Sequence, residues 1–232
     1  MYEAVHARPD GTSTVARMAR TADDYGYDGI VVRNHGDSAA TYDAEAISAE
    51  YGIDVVRGVE VRASDPSRAS GLVGNHRSSK AIVAVHGDAV ATNRFAVEQP
   101  AVDVLAHPTT GDGDVNHVLV KAAANNGVRL EFSLHDVIHE TGGSRVRRIQ
   151  SLRKLRELVE HYDAPYVVSG DPRSHLEVRA ARELVAIGEA IGFSADQIEA
   201  GLREWGRLAE RNRARQSDSF VEPGVHLDDE TT

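Results

Sequence analysis

DVLAHP at residues 103–108, GVRLEFS at 127–133 and PYVVSGDP at 165–172 decide the fold of this chain. Each is a short apolar run of the kind that forms a buried β-strand, and each turns polar toward its carboxyl end. His107 follows the first run, Glu131 and Ser133 lie late in the second, and Asp171 follows the third. In parallel α/β folds, the carboxyl ends of the strands form the edge where ligands bind. The pattern therefore predicts parallel strands with a functional site at that edge.

Strand-like and helix-like segments alternate about seven times along the chain, and the strand-like segments are apolar on both faces. Polar residues recur at nearly every strand end, which favours a closed barrel over an open sheet. We predict a TIM-like (β/α) barrel of about seven parallel strands with outer helices, as a single domain over residues 1–210. Residues 62–80, rich in Gly, Ser and Arg, are expected to form a connection, and residues 211–232 an acidic, disordered tail.

The charge of the chain is unusual. Its formal net charge is −10, and only three of its 26 basic residues are Lys. An acidic surface poor in Lys stays solvated where salt screens charge, which indicates a halophilic protein; an ordinary acidic protein from a GC-rich genome is the alternative. Acidity alone disfavours nucleic-acid binding, because neutralisation of phosphates normally supplies the affinity. However, residues 216–232 carry −5 of this charge, which leaves about −5 for residues 1–215.

The composition also excludes some classes of protein. The chain has no Cys, which excludes disulfides and Cys-based zinc sites. It has no run of about 18 apolar residues, and its first residues, MYEAVHARPD, lack the apolar core of a signal peptide. We therefore expect a cytoplasmic protein without a membrane partner.

Histidines and carboxylates follow most of the predicted strands. Imidazole and carboxylate together suit zinc, manganese or iron, and two such ions can activate water for attack on a phosphoester. The set converging on one edge comprises His6, His35, Glu60, His86, His107, Glu131 and Asp171, with His175 a helical turn beyond. In VHARPDG, RNH, GVE, LAHP and GDPRSH the chain resembles the metal-dependent polymerase-and-histidinol-phosphatase (PHP) superfamily.

The chain departs from that superfamily at three positions. Ala4 stands where the superfamily has the first His of His-x-His, Asn34 stands where it has the Asp of Asp-His, and Arg173 stands where it has the last His. Loss of one ligand of a metal site removes binding, so we expect no bound metal and no catalytic residue in this chain. The remnants are His6, His35, Glu60, His107 and Asp171; a metal-dependent phosphoesterase remains the alternative function.

The segment SRVRRIQSLRKLREL at residues 144–158 is the clearest basic feature. Its apolar residues recur at helical spacing, so Val146, Ile149 and Leu152 are expected to face the core while the arginines face solvent. A run this basic in an acidic protein indicates a surface that contacts phosphates, although a solvated helix face paired with acids is the alternative. The predicted RNA-contacting residues are Arg33, Arg62, Arg77, Arg145, Arg147, Arg148, Arg153, Arg173 and Arg179.

Taken in order, DVLAHP, NNGVRLEFSL, GGSRVRRI, LRKLREL and PYVVSGDPRSHLEVRAARELVAIGEAIGF resemble the ribonuclease P protein component 3 family. The resemblance covers about residues 1–205 and is strongest from 102 to 192. Gly170 stands where the family's strand has a second Ser.

The resemblance implies a barrel related to the PHP superfamily but without its phosphatase activity. It implies a subunit that supports the catalytic RNA of ribonuclease P in removing the 5′ leader from pre-tRNA. The RNA would use magnesium, and this chain would bind no cofactor. The implied partners are ribonuclease P RNA, pre-tRNA, ribonuclease P protein component 2 and the other protein subunits. Because counterion release yields little at high salt, a halophilic member should rely on shape, 2′-OH contacts and protein partners more than on raw charge.

Overall fold

Seven parallel strands form the body of the protein in the computed structural model, which describes residues 1–111, 113–216, 220–222 and 225–226. They pair in sequence order, each with the next, in parallel register. The strands are β1 (Tyr2–Val5), β2 (Gly29–Val32), β3 (Asp54–Val61), β4 (Ile82–His86), β5 (Val104–Ala106), β6 (Arg129–Ser133) and β7 (Tyr166–Ser169). The predicted single-domain TIM-like barrel is confirmed.

Helices cover the outside of the strands. They are α1 (Val15–Asp24), α2 (Ala44–Tyr51), α3 (Pro66–Arg77), α4 (Val90–Glu98), α5 (His117–Asn126), α6 (His135–His139), α7 (Gly142–Tyr162), α8 (Ala181–Ile191) and α9 (Ala195–Gln216), with a 3-10 turn at Gly36–Ser38. No described helix combines the length and the apolar character that crossing a membrane requires.

Two boundaries differ from the prediction. The segment 62–80 contains α3 instead of being only a connection, because Asp65 caps the amide of Arg68 and Pro66 starts the helix. Helix α9 runs to Gln216, so residues 211–216 belong to the fold and not to a tail.

Two short strands, β8 (Phe220–Glu222) and β9 (Val225–His226), pair antiparallel beyond α9. Disorder was predicted for these residues too, but the structure places them in strands. The other residues of the predicted disordered tail, 217–219, 223–224 and 227–232, lie outside the described residues.

The strands are apolar on both faces because each face is buried in a different layer. One apolar cluster fills the barrel interior, and a second, larger one lies between the strands and the helices. Helix α9 contributes Trp205, Leu208 and Ala209 to the interior. The interior set from the strands is Ala4, Val31, Val56, Ile82, Ala84, Val104, Ala106 and Val167.

The barrel has a seam between β1 and β7, which are not paired as strands. The amide of His6 donates to the Pro172 carbonyl at 3.0 Å, and the Trp205 indole donates to the Val168 carbonyl at 2.9 Å. The carboxylate of Glu3 spans the seam, because its Oε1 accepts from the amides of Ala4 and Gly170, both at 3.0 Å. One side chain, one backbone bond and helix α9 thus replace the missing strand pairing.

Glu3 is fully buried at the seam, and burial raises its pKa to about 8. Its ordinary value is 4.5. Between about pH 4.5 and pH 8, the Glu3 carboxyl is therefore neutral in the folded protein but ionised in the unfolded chain. The stability that this proton contributes is complete below about 4.5 and is lost as the pH rises to about 8.

We expect the difference in stability between Glu3→Gln and the native chain to change with pH. Gln keeps the Oε1 acceptor for both amides but has no proton to lose, so the variant should gain stability relative to the native chain as the pH rises from 5 to 8.5. Urea unfolding of both proteins at each pH measures the difference in their free energies of unfolding. The exposed Glu210→Gln serves as the matched control and should show no such change. If the difference in unfolding free energy between Glu3→Gln and the native chain stays constant with pH, the raised pKa of Glu3 is contradicted.

Candidate functional site

The mouth of the barrel, at the carboxyl ends of the strands, gathers the predicted histidines and carboxylates into one cluster. All but His175 lie within it. The Nδ1 of His175 instead hydrogen-bonds the Ser13 hydroxyl at 2.8 Å, away from the cluster. Each of the seven strands contributes one member, either within the strand or just after it: His6, His35, Glu60, His86, His107, Glu131 and Asp171.

Arg33 lies at the centre of the mouth. Its Nη1 is 2.8 Å from Glu60 Oε2, and its Nη2 is 2.7 Å from Glu131 Oε1 and 2.8 Å from Asp171 Oδ1. Its guanidinium carbon lies 5.6 Å from the centroid of the Trp205 ring, below it in the barrel. The prediction that Arg33 contacts RNA is therefore wrong, because its side chain is 0% exposed and its donors are used internally.

Asp10 joins two of the histidines, although it was absent from the predicted set. Its Oδ2 lies 2.7 Å from His6 Nδ1 and 2.8 Å from His35 Nδ1, and it accepts the His35 amide at 2.9 Å. Burial alone would lower the pKa of His6, but hydrogen bonds to Asp10 and Asp171 outweigh it and raise this pKa to about 9. His6 is therefore an imidazolium at neutral pH.

The central carboxylates are held ionised. Burial would raise the pKa of Glu60 and of Asp171, but the guanidinium of Arg33 and the neighbouring histidines together outweigh it and hold both pKa values well below their usual range. Glu60 Oε1 also lies 2.5 Å from His86 Nδ1. The mouth thus contains ionised acids neutralised by cations of the chain itself.

Two mouth residues have left-handed backbone. His107 has φ 50° and Asp171 has φ 53°, a conformation that costs a non-glycine residue roughly 1–2 kcal/mol. Such backbone persists where the surroundings over-determine it. Here the His107 amide donates to Glu131 at 3.2 Å, and the Asp171 carbonyl accepts from His135 at 3.1 Å.

The mouth does not fit a two-ion hydrolytic centre. The space among Glu60, Glu131 and Asp171, where a divalent ion would lie, holds the Arg33 guanidinium. Ligand spacing survives in His6, Asp10 and His35 and in His35, Glu60 and His86. In each group, Nδ1 atoms hydrogen-bond a carboxylate of the same group, and Glu60 of the second group also pairs with Arg33.

Of the departures from the superfamily pattern, one has a structural role and another lies outside the mouth. Asn34 bonds the backbone of Ala7 through both its oxygen, at 2.8 Å, and its nitrogen, at 2.6 Å. Arg173 is exposed outside the mouth.

Six of the nine predicted RNA-contacting arginines lie on the rim around the mouth. Arg62 follows β3, three more lie in the first turns of α7, and two lie in the loop between β7 and α8. Arg62 pairs with Asp37 at 3.2 Å, and Arg148 pairs with Asp136 at 3.0 Å. Among the described residues, the other four have no carboxylate within 4.0 Å; they are Arg145, Arg147, Arg173 and Arg179. We call these four the free rim arginines.

Arg8 belongs to the same rim and was missed from the sequence. It follows β1, is exposed, and donates to the Thr12 carbonyl at 2.7 Å, with no carboxylate partner among the described residues. Its position shortly after the end of β1 is the feature of the sequence that could have identified it.

Two predicted residues lie elsewhere. Arg77 ends α3 at the opposite end of the barrel and contacts Asp103 at 2.5 Å and the Ala81 carbonyl at 2.7 Å. Arg153 lies farther along α7 and donates to the Ala190 carbonyl at 2.7 Å. Neither joins the rim, because helices run away from the mouth after each strand.

Helix α7 divides into two parts. Val146 is 53% exposed and not in the core as predicted, whereas Leu152 and Leu155 are buried. The middle of the helix fits the alternative of a solvated, paired face, because Lys154 pairs with Asp114 and Arg156 with Glu160. The basic surface is therefore confined to the start of the helix and the neighbouring loop.

The family model described as ribonuclease P subunit p30 matches residues 1–217 of the chain. The chain belongs to that family. Ribonuclease P protein component 3 of Haloarcula marismortui is 64% identical over 230 residues, which is 99% of this chain and 98% of the relative. The protein of the same name from Natronomonas pharaonis is 61% identical, covering 98% and 95%. That of Methanosarcina mazei is 38% identical, covering 96% and 93%. The resemblance found in the sequence is confirmed, and the first two relatives fit the halophilic character.

The p30 fold is shared with solved structures. A chain in the cryo-EM structure of archaeal ribonuclease P with mature tRNA superposes with a TM-score of 0.86 at 20% identity, covering 100% of both chains. Histidinol phosphate phosphatase from Lactococcus lactis, solved with zinc, L-histidinol and phosphate, gives 0.54 at 13% identity, covering 83% and 94%. At these identities the structures show a common fold. Family membership favours the ribonuclease P function over the phosphoesterase alternative.

Replacing Arg33 with Met should destabilise the p30 barrel strongly. It would leave three buried carboxylates without their cation, and breaking a buried ionic group in this way costs about 3–5 kcal/mol. Urea unfolding at neutral pH measures the loss. Arg62→Met, which breaks a pair with an Arg side chain 48% exposed, is the control and should cost at most about 1 kcal/mol. Equal losses in the two variants would contradict the central role of Arg33.

Proposed function

We propose that this chain is a protein subunit of ribonuclease P that supports the catalytic RNA in removing the 5′ leader from pre-tRNA. The proposal rests on which arginines of the chain have carboxylate partners and which do not. Inside the mouth, Arg33 neutralises the acids; on the rim, the free rim arginines have no carboxylate partner among the described residues. Membership of the p30 family supports the same function.

In this proposal the chain itself is not catalytic. The mouth holds a guanidinium where hydrolysis would need a metal ion, so cleavage is assigned to the RNA subunit, which uses magnesium. This chain is proposed to bind no cofactor for the reaction. Its contribution is to reduce phosphate repulsion where the RNA folds and where pre-tRNA docks.

Arginine suits this task in an acidic protein. Its planar guanidinium binds phosphate through two parallel hydrogen bonds and stacks on bases, whereas an ammonium acts as a point charge. At high salt, release of counterions from RNA contributes little, so a few well-placed contacts matter more than total charge. The net charge of −10 is therefore compatible with a small RNA-binding rim.

The proposed partners are ribonuclease P RNA, pre-tRNA, ribonuclease P protein component 2 and the other protein subunits. The relatives named ribonuclease P protein component 3 support the assignment to this complex. Because pre-tRNA is the proposed substrate of the complex, the proposed location is the cytoplasm.

Reconstitution tests the function directly. Cognate ribonuclease P RNA and component 2 are mixed at limiting magnesium, with and without this chain, and cleavage of pre-tRNA is followed by gel. We expect the chain to raise the cleavage rate several-fold and to lower the magnesium concentration that cleavage requires. The chain alone, with manganese or zinc, should not hydrolyse p-nitrophenyl phosphate. An unchanged rate, or hydrolysis by the chain alone, would favour the phosphoesterase instead.

The rim is tested with the double variant Arg145→Gln plus Arg173→Gln. If both arginines contact phosphates, RNA binding by the chain with component 2 should weaken. The slope of log K against log salt should also fall in magnitude by about 1–2. The matched control is Arg20→Gln plus Arg215→Gln, which removes the same charge from exposed positions on α1 and α9. Equal effects of the two double variants would mean that only net charge matters, and would remove the rim from the proposed interface.

A further inference from the structure

A second group of metal-ligating side chains lies outside the mouth, between α6 and the loop that follows β7. It consists of His135, His139 and Glu177, whose ligand atoms all lie within 4.8 Å of one another. The two histidines are four residues apart on α6, so they share one face of the helix, and their ring centroids are 4.4 Å apart. Glu177 reaches them from a different element. Two separate segments thus converge on one point.

His135 is already oriented as a ligand. Its Nδ1 lies 3.1 Å from the carbonyl oxygen of Asp171. A carbonyl only accepts, so Nδ1 carries the hydrogen, and in the neutral ring Nε2 keeps its lone pair. A ring nitrogen that donates to a backbone carbonyl while the other faces a metal is the usual outer-shell arrangement of metal-binding histidines. This hydrogen bond is independent of the spacing of the three side chains.

Glu177 is held in place while one of its oxygens stays available. Its Oε2 accepts the amide of Arg173 at 2.8 Å, and its own amide donates to the Ser174 carbonyl at 2.9 Å. Among the described residues, no Lys or Arg side chain lies within 4.0 Å of the Glu177 carboxylate. The exposed His139 likewise has no hydrogen-bond partner there. The ligand positions are therefore not occupied by internal salt bridges, in contrast to the mouth.

We propose that His135, His139 and Glu177 bind one divalent ion of the zinc class. Two imidazoles and a carboxylate suit Zn²⁺, which commonly has four ligands, whereas Mg²⁺ prefers oxygen ligands and retains its waters. Water would complete the coordination on the exposed side. The ion would fasten α6 to the loop 172–180, which carries Arg173 and Arg179 of the rim. The site is separate from the mouth and from the magnesium assigned to the RNA.

Zinc binding to the full-length chain, prepared without a histidine tag, tests the site. Isothermal titration with ZnCl₂, supported by mass spectrometry of the protein in volatile buffer, counts the ions and measures their affinity. We expect one zinc whose affinity falls more than tenfold in His139→Ala and in Glu177→Gln. His117→Ala, which removes an exposed histidine from α5, should bind as the native chain does. Excess magnesium should not displace the zinc.

Two further results separate this site from the mouth. Hydrogen exchange of residues 172–180 should slow on addition of zinc in the native chain and in His117→Ala but not in His139→Ala. If zinc binds equally well to the native chain and His139→Ala, the ion lies elsewhere and the proposal is overturned. Absence of zinc binding at micromolar concentrations overturns it as well. Neither result depends on ribonuclease P activity, so the test stands apart from the proposed function.

Discussion

The ionic contacts of Arg33 with Glu60, Glu131 and Asp171 are the constraint on which the rest of the molecule depends. Three carboxylates from different strands meet in a space without solvent, and burial of even one unpaired charge there would cost several kcal/mol. The guanidinium offers donors in a fixed planar arrangement that can satisfy several carboxylates at once. A single side chain therefore links β2, β3, β6 and the segment after β7. The barrel keeps a polar interior without needing a metal ion to hold it.

This internal neutralisation determines what the mouth can do. A metal centre needs neutral imidazoles and carboxylates that face an ion. Here the carboxylates face a guanidinium, and Asp10 favours the charged form of His6, whose pKa is raised to about 9 after the opposing effect of burial. Outside the mouth, the free rim arginines have no such carboxylate partner among the described residues.

The strands were predictable from sequence because both their faces are buried, which leaves a continuous apolar run such as IVAV at 82–85. Helix α3 was missed because it buries little, with only Ala69 and Val73 buried, and so lacks a clear apolar period; its capping residues Asp65 and Pro66 were the better signal. Arg33 was assigned to the surface because a sequence does not show whether a charge meets partners 98 and 138 residues away. The mouth residues were found through their positions after strands. Their pairing with Arg33 required the fold.

The tripeptide Gly170–Pro172 joins the two features that distinguish this barrel. The Gly170 amide donates a hydrogen bond to Glu3 across the seam, and the Asp171 carboxylate accepts one from Arg33. The Pro172 carbonyl accepts the amide of His6. A Cβ at position 170 would lie 3.0 Å from Glu3 Oε2, closer than ordinary contact, so a side chain there requires Glu3 to move. The Gly at this position is therefore matched to the buried carboxyl of Glu3. Closing the seam also fixes Asp171 at the angle that Arg33 needs, so closure of the barrel and neutralisation of its mouth form one structural unit.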